Sequence, residues 1–197
     1  MHMRAVVIVA NPNPTSFSHA IAARVQLGLE SSGHQVTVHD LYAEGFRAAM
    51  TAEEREAYHG NLPVVDPLVS EHIADLQAAH TLVFVYPTWW SSVPAILKGW
   101  FERVMVPGVG FVFNEQNKVR PGLTNVQRLV GITTYGSPWR YIKTINDNGR
   151  RTIKRALRLS TGWGTRSRWL PLYGMDTLSA AKRERFLDKV EKVARSL

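Results

Sequence analysis

The chain has 197 residues, 45% of them hydrophobic and 20% charged, which suits one globular domain with a substantial core. It contains no cysteine, so disulfides, thiolate metal sites and thiol catalysis are excluded. The net charge is +8, which leaves nucleic acid, an anionic membrane or a phosphorylated small molecule as partners of a basic face. The first strand is read at Ala5 to Ala10, a continuous apolar run typical of a parallel strand buried on both faces. The start Met1-His2-Met3-Arg4 shows no charged-then-apolar leader, and with the lack of cysteine this gives the expectation of a cytoplasmic protein. After Asn11-Pro12-Asn13-Pro14 a helical pattern runs through Ile21, Val25 and Leu29 to Gly33, and Gln35 to His39 reads as the second strand.

The segment from Leu41 to Pro63 is irregular apart from a short helix signalled by the capping box Thr51-Ala52-Glu53-Glu54. Asp66-Pro67 starts a helix to about Ala79, and Leu82 to Tyr86 is the third strand. Pro87 ends it, the loop Thr88-Trp89-Trp90-Ser91-Ser92 follows, and Ser92 is expected to cap a helix entered near Pro94. That helix places Ile96, Leu97, Trp100, Phe101 and Val104 inward and Lys98, Glu102 and Arg103 outward. Its apolar stretch is broken by Pro87, Ser91, Ser92, Pro94 and Lys98, so it is no membrane span. Pro107-Gly108 turns the chain into a small excursion at Val109 to Phe113, and Val126 to Thr134 forms the fourth strand. A helical region from Trp139 to Ser160, interrupted at Asn148-Gly149, leads to a fifth strand at Arg168 to Leu172 and a closing helix from Ser179 to Ser196, with Phe186, Val190 and Val193 inward. Alternating strands and helices predict a single domain over 1–197 with a three-layer α/β/α architecture and a five-stranded parallel sheet of flavodoxin-like order 2-1-3-4-5.

In that order the first, third and fourth strands end side by side at the switch point, where ligands bind. The first strand's loop ends in Thr15-Ser16-Phe17-Ser18 at a helix start, which carries about half a positive charge and suits a phosphate, although Ser16 or Ser18 would cap the helix in any case. The second loop offers Trp89 and Trp90, residues that elsewhere often serve only packing, and the third is Thr133-Thr134-Tyr135-Gly136-Ser137. An anion site, aromatic walls and backbone amides meeting in one crevice fit a planar phosphorylated cofactor, FMN or FAD. No metal site is read.

Asn11 to Ser18, the run Tyr86 to Val104 with its VPAILKGWFERV helix, and Thr133 to Tyr141 resemble the flavodoxin-like NAD(P)H:quinone oxidoreductases, a family that includes the mammalian quinone reductases and bacterial ancillary proteins of potassium efflux. The resemblance implies a homodimer whose flavin sites are made by both subunits. It also implies ping-pong hydride transfer from NAD(P)H through flavin N5 to a quinone-like acceptor. Carried over by position, Thr15, Ser16, Phe17 and Ser18 hold the flavin phosphate and Pro87, Thr88, Trp89 and Trp90 run along the ring. Thr133, Thr134, Tyr135 and Gly136 hydrogen-bond its polar edge, and Tyr141 helps stabilise charge on the reduced ring. Lys182 is the basic residue that reaches the adenylate side in FAD-binding members, and with the mammalian-type helix it tilts the choice to FAD. Three positions depart from the family pattern: Asn11 replaces a histidine, Tyr135 precedes Gly136 where glycines are paired, adding bulk beside the flavin, and Asp147 stands where the mammalian enzymes have a histidine.

The alternative within the same resemblance is a flavin-binding ancillary subunit of a membrane transporter with little turnover of its own. From Trp139 to Arg168 nine basic residues face one acid, Asp147, which matches the whole net charge. Nucleic acid is set aside because these bases lack interleaved aromatics. An electron carrier of the flavodoxin type would be acidic. Arg140 and Lys143, beside Tyr141, are expected to favour NADPH over NADH, while Arg150 to Arg158 read as solvated.

Overall fold

The β-branched run of the first strand enters the sheet with its side chains divided between two cores. Val6 and Ile8 pack on one side with Leu82, Phe84 and Trp100, and Val7 and Val9 pack on the other with Ile21, Val25 and Val190. This is the consequence of a period of two in a strand covered on both faces. The protein is described by a computed structural model over residues 3–58, 60 and 65–197. Its strands β1 (Arg4–Val9), β2 (Gln35–Asp40), β3 (Thr81–Pro87), β6 (Arg128–Thr134) and β7 (Arg166–Leu172) form a parallel sheet in the order β2-β1-β3-β6-β7. An antiparallel hairpin, β4 (Phe111–Phe113) and β5 (Val119–Pro121), occupies the excursion between β3 and β6. The expected flavodoxin-like architecture is present.

Helices α1 (Phe17–Glu30) and α8 (Ala180–Ala194) cover one face; α3 (Pro67–Ala78) and α4 (Ala95–Val104) cover the other. The short helix α2 (Ala52–Ala57) carries the predicted capping box, with Thr51 and Glu54 each accepting from the other's backbone N–H. Of the closing-helix positions, Phe186 and Val190 are buried and Val193 is half-buried against the same core. Among the described residues no helix is long and apolar enough to cross a membrane.

Two local expectations fail for identifiable reasons. Ser92 does not cap α4: Pro94 is the N-cap residue and makes no side-chain bond, while the Ser92 backbone is engaged with Trp89. Arg103 does not face outward but is buried. Its Nε donates to Glu54 Oε1 at 2.8 Å, its Nη2 donates to Glu54 and to Asp66, and its Nη1 donates to the Arg47 carbonyl at 2.6 Å. The irregular segment before α3 folds over the outer face of α4, so a position that is solvent-facing on an isolated amphipathic helix becomes an internal one.

A second polar network, with two buried imidazoles and partly exposed carboxylates, joins β2 to α3. His39 Nδ1 lies 3.0 Å from Glu44 Oε1 and its Nε2 lies 3.0 Å from Asp75 Oδ2, with the His72 ring stacked on it at 3.8 Å. Trp100 Nε1 donates to His72 Nδ1 at 2.8 Å, so His72 carries its proton on Nε2, 3.1 Å from Glu44 Oε2. The two imidazoles and Glu44 are close enough together to hold a cation. That would require the His72 Nε2 lone pair, which the Trp100 hydrogen bond denies it.

Burial works against the charged form of Glu44, but hydrogen bonds and charge from His39 and His72 outweigh it and lower its pKa to about 2. Burial likewise opposes the charge on His39, and Glu44 and Asp75 overcome it and raise its pKa. The lowered carboxylate stabilises the fold above its ordinary value of 4.5, and this is lost as pH falls. The raised imidazole stabilises below 6.5, and this is lost as pH rises through the folded value. Glu44→Gln should therefore lower stability most between pH 4.5 and 6.5, by about 1 kcal/mol because the carboxylate is partly exposed, in thermal unfolding followed across pH. A pH-independent difference would show that the pair does not titrate in the folded state.

Candidate functional site

The carboxyl ends of β1, β3 and β6 meet at the switch point, and each contributes a loop. In the first, Asn11 Oδ1 accepts from the Asn13 amide and Asn13 Oδ1 accepts from both the amide and the hydroxyl of Thr15. Asn11 Nδ2 donates to Ser18 Oγ at 3.2 Å, which is buried beneath the loop. Ser16 is the N-cap of α1, and its hydroxyl lies 2.9 Å from His19 Nδ1, whose Nε2 is 2.8 Å from Asp40. Phe17 packs on Phe186. Asn11, Thr15 and Ser18 thus build the loop with their side chains. The Ser16 hydroxyl is engaged with His19, and the donors left open at the helix start are the first-turn amides of Phe17 and Ser18, which meet no acceptor among the described residues.

In the second loop Trp89 and Ser92 exchange backbone hydrogen bonds, and Trp90 and Ser91 between them have φ of 47° and 59°. A tight turn with two left-handed non-glycine residues is an uncommon conformation that costs energy. It leaves Trp90 99% exposed and Trp89 43% exposed. The indoles are therefore displayed rather than packed. The loop is anchored by the Thr88 amide on the Thr134 carbonyl, the Thr88 and Thr133 hydroxyls 2.8 Å apart, and the Asn148 amide on the Ser91 carbonyl. Across a crevice of about 690 Å³ these aromatics face Thr134, Gly136, Ser137, Met175 and Asp176. Gly136 matters here: a Cβ would come within 2.6 Å of Asp176 Oδ2.

In the third loop Tyr135 is a wall of the recess it shares with Trp90, Gly136 and Tyr141. Its side chain is 1% exposed, stacked on Tyr173 at 4.8 Å and donates its hydroxyl proton to Asp147. Burial first, and the Asp147 hydrogen bond and charge next, push the Tyr135 pKa far up, so it stays a neutral donor. The two departures at Tyr135 and Asp147 are one feature, a part-buried pair linking the end of β6 to the turn before α6 (Asn148–Arg151). Asp147 also caps α6 by accepting from the Arg150 amide, and Asn146 with φ of 62° makes the break, so the helical region is interrupted just ahead of Asn148. The Tyr135 amide donates to Leu172 and its carbonyl accepts from Met175. The donors this loop leaves open are the Gly136 and Ser137 amides, which meet no acceptor among the described residues.

Tyr141, on α5 (Trp139–Thr144), is exposed and lines a recess of about 210 Å³ with Trp90, Ser91 and Gly136. Lys182 is exposed on the first turn of α8, past the crevice residues Met175 and Asp176. Sequence reasoning missed Tyr173 and Asp176 as parts of the site, although both follow the carboxyl end of β7, where the switch-point rule directs attention.

Residues 3–192 match the sequence profile of Flavodoxin_2, described as a flavodoxin-like fold. The chain belongs to the Flavodoxin_2 family. This Flavodoxin_2 chain is 33% identical over 149 residues to NAD(P)H dehydrogenase (quinone) 1 of Rattus norvegicus, covering 68% of this chain and 54% of the rat protein. It is 35% identical over 137 residues to an uncharacterized NAD(P)H oxidoreductase of Haemophilus influenzae, covering 68% and 65% of the two. It thus spans between half and two thirds of the length of these curated relatives. A solved structure from Streptococcus mutans superposes with a TM-score of 0.84 at 27% identity, covering 99% of this chain and 100% of that one.

Proposed function

We propose that this chain is a flavin-dependent NAD(P)H:quinone oxidoreductase acting as a single-domain, cytoplasmic homodimer. The observation that carries the reading is the meeting, at one switch point, of open helix-start amides, displayed indoles and open loop amides. The donor set fits a flavin. Ser16 and the Phe17 and Ser18 amides would hold its phosphate, Trp89 and Trp90 would flank the ring, and Gly136 and Ser137 would donate to its polar edge. The named relatives supply the chemistry by kinship.

A bound flavin would supply two-electron chemistry, accepting a hydride from NAD(P)H and passing it to a quinone-like acceptor in alternation. The protein's own part is to fix the ring between the loops, to exclude water with Trp89 and Trp90, and to offer the Tyr141 hydroxyl at the ring's edge. FAD is favoured over FMN by Lys182, exposed on the helix that packs beside α1. The homodimer is supported by the apolar surface that Trp90, and Phe113 and Val119 of the β4–β5 hairpin, leave exposed.

The test is direct. Purified protein should be yellow, should release FAD or FMN on heating for identification by chromatography, and should oxidise NAD(P)H with a benzoquinone. Colourless protein that takes up neither flavin sinks the reading. Tyr141→Phe should keep its flavin and lose about ten- to hundredfold in the rate of flavin reduction, the worth of one hydroxyl hydrogen bond to developing charge. Stopped-flow reduction as fast as wild type would remove Tyr141 from that half-reaction.

A further inference from the structure

The basic segment is largely solvent-exposed, as expected, but its cations converge on one concavity. Lys143, Arg150, Arg151, Lys154, Arg155 and Arg158 line one cleft of about 560 Å³, with Asp147 as its single acid. Arg140, expected to act with Lys143, is not among the lining residues. Some cations elsewhere are matched, as where Arg24 reaches Glu184, Asp188 and Glu191 and Arg103 reaches Glu54 and Asp66, while others, such as Arg128 and Lys182, make no ion pair among the described residues but do not converge on this concavity. None of the six cleft cations has a salt bridge among the described residues. Arg158 Nε is buried with no hydrogen-bond partner. Like charges gathered without counter-charges repel one another and weaken the fold, so their concentration in a concavity calls for an anion.

The cleft also has a special backbone. Between α6 and α7 (Leu157–Thr161) the helix widens into a π segment at Thr152–Ala156, the form that helices often take at functional sites. It adjoins the crevice: Ile142 is a wall of both the cleft and the Tyr141 recess, and Asp147 and Tyr173 belong to the cleft while holding Tyr135, another wall of that recess. A ligand whose reactive end enters the crevice beside Tyr141 can therefore leave its remote end among the cations.

We propose that this cleft binds the 2′-phosphate half of NADPH and makes the protein select NADPH over NADH. The inference rests on the oxidoreductase reading for its nicotinamide end. The 2′-phosphate is the one group that distinguishes the two nucleotides, and arginines match its oxygens in bidentate fashion. Most of the six side chains are exposed, so the selectivity is salt-dependent, screened over about 8–10 Å at ordinary ionic strength.

The experiment uses the flavin-loaded protein and three probes: 2′,5′-ADP, which carries the distinguishing phosphate, 5′-AMP, which lacks it, and pyrophosphate. Calorimetric titration at low and at high salt is compared for wild type and for the double variant Lys154→Ala, Arg155→Ala. Wild type should bind 2′,5′-ADP at least about tenfold tighter than 5′-AMP or pyrophosphate at low salt, with the margin shrinking at high salt. The double variant should lose that margin, and its kcat/KM ratio for NADPH over NADH should fall about tenfold through the KM for NADPH. Equal binding of 2′,5′-ADP and 5′-AMP overturns the proposal, as does pyrophosphate binding as tight as 2′,5′-ADP, which marks a general anionic docking face. Turnover with equal NADH and NADPH efficiencies overturns it while leaving the oxidoreductase reading intact. Selective 2′,5′-ADP binding by a protein that holds no flavin would leave the cleft assignment standing and sink the oxidoreductase reading.

Discussion

Ser16→Asp should yield a folded protein that has lost its flavin. Aspartate caps helices as well as serine does, and the Ser16 side chain already accepts from the His19 amide, so α1 keeps its cap. His19 already faces Asp40 at 2.8 Å, so the new carboxylate adds a second acid beside the same imidazole. Set beside the cofactor phosphate at the same helix start, it repels with about 1–4 kcal/mol between bulk-water and surface-like dielectric, or about 5- to 1000-fold in affinity. It also occupies the partial positive charge of α1 that the phosphate would use. Ser16→Ala is the control, since it removes the cap and the hydroxyl without adding charge. The expected ranking of flavin content after gel filtration is wild type, then Ser16→Ala, then Ser16→Asp with little or none, all three melting cooperatively. Ser18 is the poorer site for this test because it is buried and receives Asn11 Nδ2, so a charge there would damage the loop itself. A Ser16→Asp protein with full flavin content places the phosphate elsewhere.

The sheet was legible because its strands are covered on both faces. Val6, Val7, Ile8 and Val9 have no polar alternation to obscure them, and the same holds for Leu82 to Val85. Given that sheet, the site followed from where its strands end, which is a property of topology and needs no side-chain detail. What stayed hidden were interactions made by segments distant in the chain. Arg103 reads as solvent-facing on its own helix and is internal because Glu54 and Asp66 lie over it. Tyr135 and Asp147 read as two separate oddities because twelve residues and a turn divide a single hydrogen bond. The cleft cations read as a helix-wide scatter because a π segment and the break at Asn146 regroup them on one side. In each case periodicity describes an isolated element, and the outcome is decided by what packs against it.

Arg103→Ala tests the largest of these hidden interactions, and it should be the most destabilising single change considered. The guanidinium is buried, and its loss leaves Glu54 and Asp66 with only the longer ion pairs to the exposed Arg47, at 4.0 and 3.8 Å, and the Arg47 carbonyl without its donor. Breaking such a buried pair by removing one partner costs about 3–5 kcal/mol, which for a chain of this size lowers the melting temperature by about 6–20 °C. Burial opposes charge on both carboxylates, yet hydrogen bonds from Arg103 and from the backbone prevail and hold Glu54 below its ordinary 4.5 and Asp66 below 3.8. The sign of the linkage follows: the stabilisation is present above those ordinary values and is lost as pH falls through the lowered ones. The gap between wild type and Arg103→Ala should therefore narrow on acidification below about pH 4, because protonation relieves the uncompensated carboxylates in the variant. Combining Arg103→Met with Glu54→Gln and Asp66→Asn removes the charges together. Gln and Asn keep the oxygens that accept from the Thr51 and Leu68 amides, and Met keeps the volume, so most of the lost stability should return at neutral pH. If the triple variant melts no higher than Arg103→Ala, the deficit comes from lost packing of the arginine stem and not from unpaired charge.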